Sequence, residues 1–406
     1  MDGLNDEVWY WHQADLLADG HFFVNPFVEM GDGTLIPSAG HPPGYTLVLA
    51  LPARIGLDAP LAHRIFTALI GAVLVAAIGF LAREIAGDRA GLIAAGLAAV
   101  YPHLWNNDAV LGAEGLYGVL VVGGLLAGYR YWRSPTVLTA VVMSACFTAG
   151  AMTRSEGILL LPLVALPIVL FAPGPGRAMR LKAIAGVGAA AIVLLAPWVI
   201  RNLVTFDRAS FVVTGSGHVV AYGNCDATYS GRFLGYWSDE CALKDFPDGD
   251  ESVIDVAARE QGLDYVSEHL GDQPVVVAAR VGRLWDVYRP LQGVEFNDFF
   301  ERKGLWPSRL GLAGFYILMP FAIHGLVVMR TRKIPIFPFL GVAAAVTIAA
   351  AVSFGITRYR SPVDALLPIA AAVSLDALWQ WYRSRTTPAA ESSKPADVSE
   401  AALAAR

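Results

Sequence analysis

Stretches of apolar residues, separated in most places by short polar turns, repeat along the greater part of this chain. A helix needs about 20 predominantly apolar residues to cross the hydrocarbon core of a bilayer. About nine stretches approach that length, and a helix satisfies its own backbone hydrogen bonds in lipid. The pattern therefore predicts an all-α polytopic membrane protein. The predicted spans are Ile65–Leu81, Ala90–Leu104, Ala109–Ala127, Val137–Met152, Ile158–Phe171, Ile184–Ile200, Leu310–Met329, Ile334–Phe354 and Val363–Leu378.

Lysine and arginine residues lie in alternate polar turns, and such a distribution sets the orientation of a membrane protein. With nine spans, all the basic segments fall on one side, which the positive-inside rule makes cytoplasmic. These segments contain Arg83 and Arg89; Arg130 and Arg133; Arg177, Arg180 and Lys182; Arg330, Arg332 and Lys333; and Arg383 and Arg385.

Two long polar segments then lie on the opposite, extracytoplasmic side. Residues 1–63 form a first outer loop with interfacial helices, and residues 203–307 form a small domain. Transmembrane helices occupy residues 64–202 and 308–382. The tail at 383–406 is rich in Ala, Ser, Pro and Glu, so we expect it to be disordered and cytoplasmic.

The polar segments contain their own structural signals. A short apolar run at Tyr45–Leu51 predicts a helix lying at the membrane interface. Ser210–Tyr222 has β-branched residues and glycine punctuation, which predict a strand. Asp250–Leu270 and Pro274–Tyr288 have helical spacing. The outer domain is therefore expected to be α+β.

Composition supports the membrane class. Of the 406 residues, 55% are hydrophobic and 16% charged, and soluble globular proteins rarely reach that apolar fraction. The net charge of -5 says little, because the distribution of charge matters more in such proteins.

Cys225 and Cys241 lie in the outer polar segment and would pair in an oxidising compartment.

The stretch LNDEVWYWHQADLLADG, residues 4–20, carries two neighbouring carboxylates, Asp6 and Glu7, followed by aromatic residues. Asn5 is a good N-cap, so a helix is predicted to begin here. Two interpretations of the acidic pair remain open. The acids complement the helix dipole in its first turn, or one of them serves as a general base whose pKa is raised by nearby apolar side chains.

Arginines also lie at the predicted outer ends of three spans, where the positive-inside distribution makes them unusual. Their partners are carboxylates in structural ion pairs, or an anionic phosphate, which the guanidinium fork suits. Three such clusters on one face favour a phosphate site. The residues concerned are Arg154 and Glu156; Arg201 and Asn202; Arg358, Tyr359 and Arg360; and Glu114, a costly carboxylate at the start of a span.

A further polar motif, PSAGHPPGY at residues 37–45, places His41 before two prolines. The prolines fix an extended lead-in to the apolar run that follows. The motif favours a rigid approach to an interfacial helix, capped by His41, over a metal-ligand role, because a lone histidine is weak support for a metal.

Five motifs, in their order and their shared outer location, resemble the multi-spanning glycosyltransferases that use lipid-linked sugars, the GT-C fold. Within that class the chain is most similar to the glycosyltransferase family 39-type branch, which includes bacterial protein-mannosyltransferase-like and lipid A aminoarabinose-transferase-like enzymes. The resemblance covers nearly the whole chain. The motifs are the Asp6-Glu7 pair with Tyr10 and Gly20, HPPGY at 41–45, TRSEG at 153–157, PWVIRN at 197–202 and TRYRSPV at 357–363.

The resemblance implies a GT-C helical bundle and an enzyme that transfers a sugar from a polyprenyl-phosphate donor with inversion. Asp6 matches the catalytic aspartate and would be the general base, and Glu7 or Glu114 would orient the site. The candidates for binding the donor phosphate are Arg154, Arg201, Arg358 and Arg360. Further site candidates are His41, Glu156, Asn202 and Tyr359. A divalent metal is possible, since some relatives use one, but no ligand spacing here demands it.

The sequence leaves the sugar and the acceptor open, and the acceptor could be a protein, a glycolipid or a polysaccharide. Membrane lipid is an expected partner and nucleic acid is not. We expect the protein in a bacterial cell membrane, with its active site on the extracytoplasmic face. In the family the acidic pair follows a first span, so two expectations remain open: an additional helix upstream of Met1, or translocation of the acidic N-terminal segment unaided, with Ile65–Leu81 as a reversed anchor.

The main alternative is a transporter or lipid flippase of the cell envelope. Such proteins place ionisable residues near the midplane and contain internal repeats. Here the charges gather at the outer helix ends and no repeat is evident, which favours the enzyme. A non-catalytic partner in an envelope-building complex is a third possibility, and it differs in not needing Asp6 or the arginines for turnover.

Overall fold

The computed structural model describes residues 6–386, and in this range the polypeptide folds into helices without a β-strand. The extended backbone pairs in a single antiparallel bridge between Val24 and Pro37. The predicted N-cap Asn5 and most of the predicted tail, residues 387–406, lie outside the described residues. The predicted all-α fold is thus confirmed for the described chain.

The first outer segment contains three helices: α1 (Asp6–Ala18), α2 (Pro26–Asp32) and α3 (Pro43–Ala53). Asn25 caps α2, since its side-chain oxygen accepts hydrogen bonds from the backbone N–H of Phe27 at 3.0 Å and of Val28 at 3.3 Å. The double proline begins α3, where an interfacial helix was predicted. Helices α1 and α3 pack against each other.

Seven helices follow, and they contain six of the nine predicted spans. The second span ends earlier than predicted, because Pro102 lacks an N–H and starts a separate short helix. The fifth is interrupted by a 3-10 turn at Ser155–Leu159 and a π turn at Leu161–Ala165. The helices are α4 (Pro60–Ala86), α5 (Asp88–Val100), α6 (Pro102–Ala109), α7 (Glu114–Arg133), α8 (Val137–Ala151), α9 (Leu166–Phe171) and α10 (Arg177–Thr205).

The outer domain is helical, and the predicted strand at Ser210–Tyr222 is wrong. Residues 216–222 form a helix that packs closely on a second one, and a Cβ at Gly217 or at Gly262 would overlap the facing backbone. Tertiary packing thus overrides the β preference of the valines. A disulfide joins Cys225 and Cys241. The helices are α11 (Ser216–Tyr222), α12 (Asp226–Tyr229), α13 (Glu251–Glu268), α14 (Gln273–Leu284) and α15 (Pro290–Phe299).

The chain returns to the bundle in α16 (Leu305–Thr331), α17 (Phe337–Val352) and α18 (Ser361–Thr386), the last preceded by a 3-10 turn at Thr357–Arg360. Helix α18 is central and packs against α16, α5, α4 and α7. In its most apolar window 83% of the residues are buried, against 17% in α10, whose side chains mostly face outward.

Within residues 6–386, four helices are long and apolar enough to cross a membrane on their own: Pro60–Ala86, Arg177–Thr205, Leu305–Thr331 and the continuous stretch Thr357–Thr386. The other predicted spans coincide with shorter helices packed among them. The chain is therefore a membrane protein with several apolar helices, as its sequence predicts.

The polar ends of the helices form two separate groups. At one end Arg133 contacts Glu84 at 2.9 Å and Arg89 lies 3.6 Å from Asp376, so residues of the predicted basic segments meet there. At the other end Glu114 contacts both Arg154 and Arg358. We call this second group the site end. The predicted outer turns therefore do come together, although they are distant in sequence.

Candidate active site

Arg358 is the centre of the site end. It lies in the turn just before α18, and its Nη1 donates to Oδ2 of Asp6 at 2.5 Å. Its Nε donates to Oε1 of Glu114, and a third carboxylate, Glu301, lies 3.4 Å from Nη1. One guanidinium thus connects carboxylates from the first helix, the bundle and the outer domain.

Glu114 begins α7 and is only 3% exposed. It accepts a second charge-assisted hydrogen bond, at 2.7 Å, from Nη1 of Arg154, whose Nε donates to Glu156 at 2.6 Å. A buried carboxylate is stable only when it is paired and hydrogen-bonded. Glu114 therefore holds Arg154 and Arg358 side by side, and Tyr359 lies 5.3 Å from the guanidinium of Arg154.

His41 lies on the other side of Asp6. Its Nε2 is 3.7 Å from Oδ1 of Asp6, and its Nδ1 is 3.5 Å from the hydroxyl of Tyr10. Burial lowers the pKa of His41. The negative charge of Asp6 raises this pKa and the positive charge of Arg358 lowers it, and the net result is a lowered pKa. The imidazole is therefore neutral at neutral pH and faces the carboxylate of Asp6.

The pKa of Asp6 moves in the direction opposite to the sequence prediction. Burial raises the pKa of this carboxyl, as expected, but the positive charge of Arg358 and the hydrogen bond from it lower the pKa by more. The net result is a pKa well below the usual range of an aspartate. Asp6 is thus ionised throughout the physiological range.

Three predicted site residues lie apart from this cluster. Glu7 binds Arg64, which donates to it from Nη2 at 2.5 Å and from Nε at 2.8 Å, so it does not orient Asp6. Arg201 donates to backbone carbonyls of the first outer segment and, at 3.0 Å, to the side chain of Asn202. Asn202 is fully buried and donates to the backbone after α10. Arg201 and Asn202 therefore hold the outer loops together.

Arg360 is also unsuited to binding a phosphate from outside, because its side chain is completely buried. It donates to Asp286 at 2.8 Å and to Asp364 at 3.2 Å, and its guanidinium lies 3.7 Å from the ring of Phe315. This is the structural ion-pair interpretation that the sequence left open. Of the four candidate arginines, Arg154 and Arg358 lie at the site.

A small polar cleft opens beside Arg358. We call it the Lys303 cleft, because Lys303 lines it and, among the described residues, has no carboxylate within ion-pair distance. Burial lowers the pKa of Lys303, and the nearby carboxylates of Glu301 and Glu114 oppose this. Lys303 is not among the site residues that the sequence predicts, since a single lysine in a polar loop has no periodicity or motif. The cleft is also lined by His103, Asn106, Asn107, Asn297, Ser308, Thr357 and Asp364.

The acidic residues at the site end do not fit a divalent-metal centre. In residues 6–386 no three His, Cys, Asp or Glu side chains are grouped so that they could hold a metal ion. Asp6 and Glu114 are instead bound to guanidinium groups. Their charge is thus compensated by arginine, and we derive no step through a metal.

Comparison with known proteins agrees with this architecture. Residues 40–200 match the family model of dolichyl-phosphate-mannose-protein mannosyltransferases. This segment runs from the His41 motif to the end of α10 and includes Glu114, Arg154 and Glu156. None of the curated proteins compared matches the chain.

Solved structures of an oligosaccharyltransferase from Archaeoglobus fulgidus have a similar fold. The apo form has a TM-score of 0.54 at 16% identity, covering 94% of this chain and 48% of that one. A complex with an inhibitory peptide and a dolichol-phosphate has a TM-score of 0.55 at 16% identity, with 94% and 48% covered. A complex with Zn and sulfate has 0.52 at 13% identity, with 94% and 46% covered.

This chain spans about half the length of these oligosaccharyltransferases, and identity this low shows the fold alone. The similarity nevertheless extends over nearly the whole of the present chain. The resemblance inferred from the motifs is confirmed: the chain has the GT-C fold of membrane glycosyltransferases, with a match to the mannosyltransferase family in residues 40–200.

Proposed function

We propose that this protein is a glycosyltransferase that moves a sugar from a polyprenyl-phosphate donor to an acceptor on the extracytoplasmic face, with inversion. One observation carries the proposal: Arg358 binds Asp6 and Glu114 and also lines a cleft with Lys303. Two comparisons support the donor class, because the matching family is described by dolichyl-phosphate-mannose and an oligosaccharyltransferase of this fold was solved with a dolichol-phosphate.

The donor phosphate would bind between Lys303 and Arg358. Lys303 has no carboxylate within ion-pair distance among the described residues, and Arg358 presents several donors in a fixed plane. Both charges would stabilise negative charge as it builds on the leaving phosphate. Glu114 and Arg154 would hold Arg358 in place from behind. A lipid carrier suits an outer-face enzyme, since nucleotide sugars are cytoplasmic.

Asp6 would act as the general base in a single displacement. Its carboxylate takes the proton from an acceptor hydroxyl while that oxygen forms a bond to the anomeric carbon, on the face opposite the phosphate. The bond between the anomeric carbon and the phosphate oxygen breaks, and its electron pair leaves with the polyprenyl phosphate. One displacement inverts the configuration. Neutral His41, 3.7 Å from Asp6, is placed to receive the proton afterwards.

The ion pair with Arg358 makes Asp6 a weak base before the donor binds. A phosphate in the Lys303 cleft would compete for Arg358 and weaken its hold on Asp6. The pKa of Asp6 would then rise toward its ordinary value, because the charge of Arg358 is a main cause that lowers it. In this way the base would gain strength only when a donor is present.

Replacing Asp6 with Asn tests the proposal. We expect transfer from a radiolabelled polyprenyl-phosphate sugar to fall by about 100-fold or more, the usual contribution of a positioned base. Transfer is measured in membranes that contain equal amounts of protein, as release of polyprenyl phosphate. Asp19→Asn is the matched control, because Asp19 is an exposed carboxylate just after the same helix.

Two results would reject different parts of the proposal. Full activity of folded Asp6→Asn protein would remove Asp6 from the role of base. A wild-type protein that releases no polyprenyl phosphate from mannosyl, aminoarabinosyl or glucosyl donors, with envelope extracts as acceptor, would contradict the donor class.

A further inference from the structure

A second small cleft lies beside the Lys303 cleft in the outer domain. Asn297 and Thr357 line both clefts and are hydrogen-bonded to each other at 3.1 Å, so they form the wall between them. We call the second space the Arg283 cleft, because Arg283 and Arg289 line it. Neither arginine has a part in the donor site described above.

Arg283 lines this cleft with an unused donor. It is 5% exposed, and its Nε and Nη2 donate to the backbone carbonyls of Leu234 and Arg232, at 2.6 and 2.9 Å. Its Nη1 is buried and has no hydrogen-bond partner among the described residues. An unsatisfied donor on a buried charged group is costly, so proteins keep few of them without a reason. The natural partner of such a donor is a ligand oxygen.

The charge of the cleft is positive. Burial lowers the pKa of Arg283 to about 10, so the group is still protonated at neutral pH. Arg289 contacts backbone carbonyls, with its Nη1 2.7 Å from the oxygen of Gly231. The acidic residue of the lining, Asp286, is paired with Arg360, which also binds Asp364, so the charge of Asp286 is only partly compensated. Arg283 and Arg289 have no carboxylate within ion-pair distance among the described residues, and two guanidinium groups against this one carboxylate leave the lining with a net positive charge.

The backbone around the cleft is strained. Asp286 has a φ of 54° and Arg289 a φ of 50°, in the left-handed region that non-glycine residues rarely occupy. The turn between them is fixed by hydrogen bonds from the N–H groups of Val287 and Tyr288 to the carbonyl of Gly282, at 2.8 and 3.0 Å. Such strain concentrates at sites that hold ligands.

We propose that the Arg283 cleft binds an anionic group of the acceptor, a carboxylate or a phosphate, next to the wall formed by Asn297 and Thr357. The acceptor hydroxyl then lies on the side of that wall where Arg358, the neighbour of Thr357, holds Asp6. Assigning the ligand to the acceptor rests on the proposed function. The binding of an oxyanion in this cleft does not.

The test measures binding of three probes to the purified full chain in nanodiscs: glucuronate, glucose 6-phosphate and glucose. We expect the two anions to bind and neutral glucose to bind at least about tenfold more weakly, the effect of losing one charge-assisted hydrogen bond. The preferred anion tells whether the group is a carboxylate or a phosphate. Arg289→Gln, a change at an exposed side chain, should weaken anion binding by about tenfold.

Arg232→Gln is the matched control, since Arg232 is exposed, lies in the same region and pairs with Glu295 at 3.9 Å. It should leave the affinity for the anions unchanged. Arg283→Lys, which keeps the charge and loses the planar fork, should weaken binding as Arg289→Gln does. Equal affinity for glucose and glucuronate, or full anion binding by both cleft variants, would overturn the proposal.

Lys303→Gln separates this proposal from the proposed function. It should weaken binding of polyprenyl phosphate in the same nanodiscs. If it also removes glucuronate binding while Arg289→Gln does not, the anion occupies the Lys303 cleft and the present proposal is wrong. If the protein binds glucuronate through Arg289 but no polyprenyl phosphate, the cleft stands and the donor assignment fails.

Discussion

Asp108 is a carboxyl group held in a notch between two helices. It lies where Gly71 of α4 and Gly115 of α7 leave room, since a Cβ at either position would overlap its oxygens. Its Oδ1 is buried and has no hydrogen-bond partner among the described residues. Burial, and then the charge of Glu114, raises the pKa of Asp108 to about 7. The group is therefore partly protonated at neutral pH.

The raised pKa predicts a stability that depends on pH. The folded state binds a proton more tightly than the unfolded chain, whose aspartate has its ordinary pKa near 3.8. The stabilisation of the folded state by this proton is complete below pH 3.8 and is lost as the pH rises through about 7. Asp108→Asn, which is always neutral, should raise the free energy of unfolding at pH 8 by about 1–3 kcal/mol and have little effect at pH 4.

Thermal unfolding of the protein in detergent at the two pH values checks this prediction. Asp298→Asn is the control, because Asp298 is exposed on α15. If Asp108→Asn raised the free energy of unfolding equally at both pH values, the effect would come from something other than ionisation of Asp108.

At this scale the sequence could predict which residue types gather at the site end, but it could not predict their partners. Arg201, Arg358 and Arg360 have the same pattern of a cation at a predicted outer helix end. Only the fold shows that Arg358 joins carboxylates beside a cleft, whereas Arg360 is buried and paired with other carboxylates. Lys303 has no pattern at all, and its importance depends on what surrounds it.

Between elements, α16 and α18 approach each other closely. A Cβ at Gly325 would overlap the carbonyl of Ala370, so the two helices touch backbone to backbone at this point. Helices in membranes associate through such small residues, which allow close van der Waals contact. The hydrophobic effect does not drive their association, because lipid tails are themselves apolar. The burial of α18 depends on this contact.

Gly325→Ala should therefore destabilise the protein by about 1–3 kcal/mol, the usual cost of overpacking. Gly188→Ala is a matched control in α10, where no atom lies within 4 Å of the added methyl group. It should be neutral or stabilise by about 0.5–1 kcal/mol, because alanine favours a helix. Unfolding in a mixed-detergent titration measures both, and equal effects of the two changes would argue against the packing explanation.

Helices were easier to predict than their interruptions. Each of the nine apolar windows falls largely on helix in the structure, and four of the described helices are long and apolar enough to cross a membrane on their own. Burial in lipid and helical hydrogen bonding favour the same structure in such windows. The error at Ser210–Tyr222 has a definite cause. Its valines favour a strand locally. In the structure the segment is helical and Gly217 lets it pack closely on α13. That contact is between residues distant in sequence, so the local pattern does not predict it.

For the whole molecule, Glu251 connects the first outer segment to the outer domain. It accepts hydrogen bonds from the backbone N–H of Ala39, from the hydroxyl of Ser38 at 3.0 Å and from that of Thr214 at 2.5 Å. Arg201 donates to the carbonyl of Ser38, which adds the end of α10 to the same junction. The first outer segment, the outer domain and the end of α10 thus meet at Ala39, which precedes His41 by two residues.

Glu251→Ala should loosen this junction without unfolding the bundle. We expect exchange of the Ala39 and Gly40 amide hydrogens to accelerate by about 10–100-fold, corresponding to the loss of one or two hydrogen bonds to a charged group. Hydrogen–deuterium exchange followed by mass spectrometry measures it. Glu260→Ala, an exposed position on the same helix, is the control. Unchanged protection at Ala39 in the Glu251 variant would mean that the junction is held elsewhere.

The burial of α18 has a consequence for turnover. Arg358 directly precedes the most buried of the four long helices, so the backbone that carries its guanidinium is held by packing on several sides. Asp6 is at the beginning of a surface helix that reaches the bundle through side chains. Of the two backbones, that of α1 is therefore the one we expect to be displaced when the Asp6–Arg358 distance changes during a reaction cycle. Reorganisation around the cation stays small.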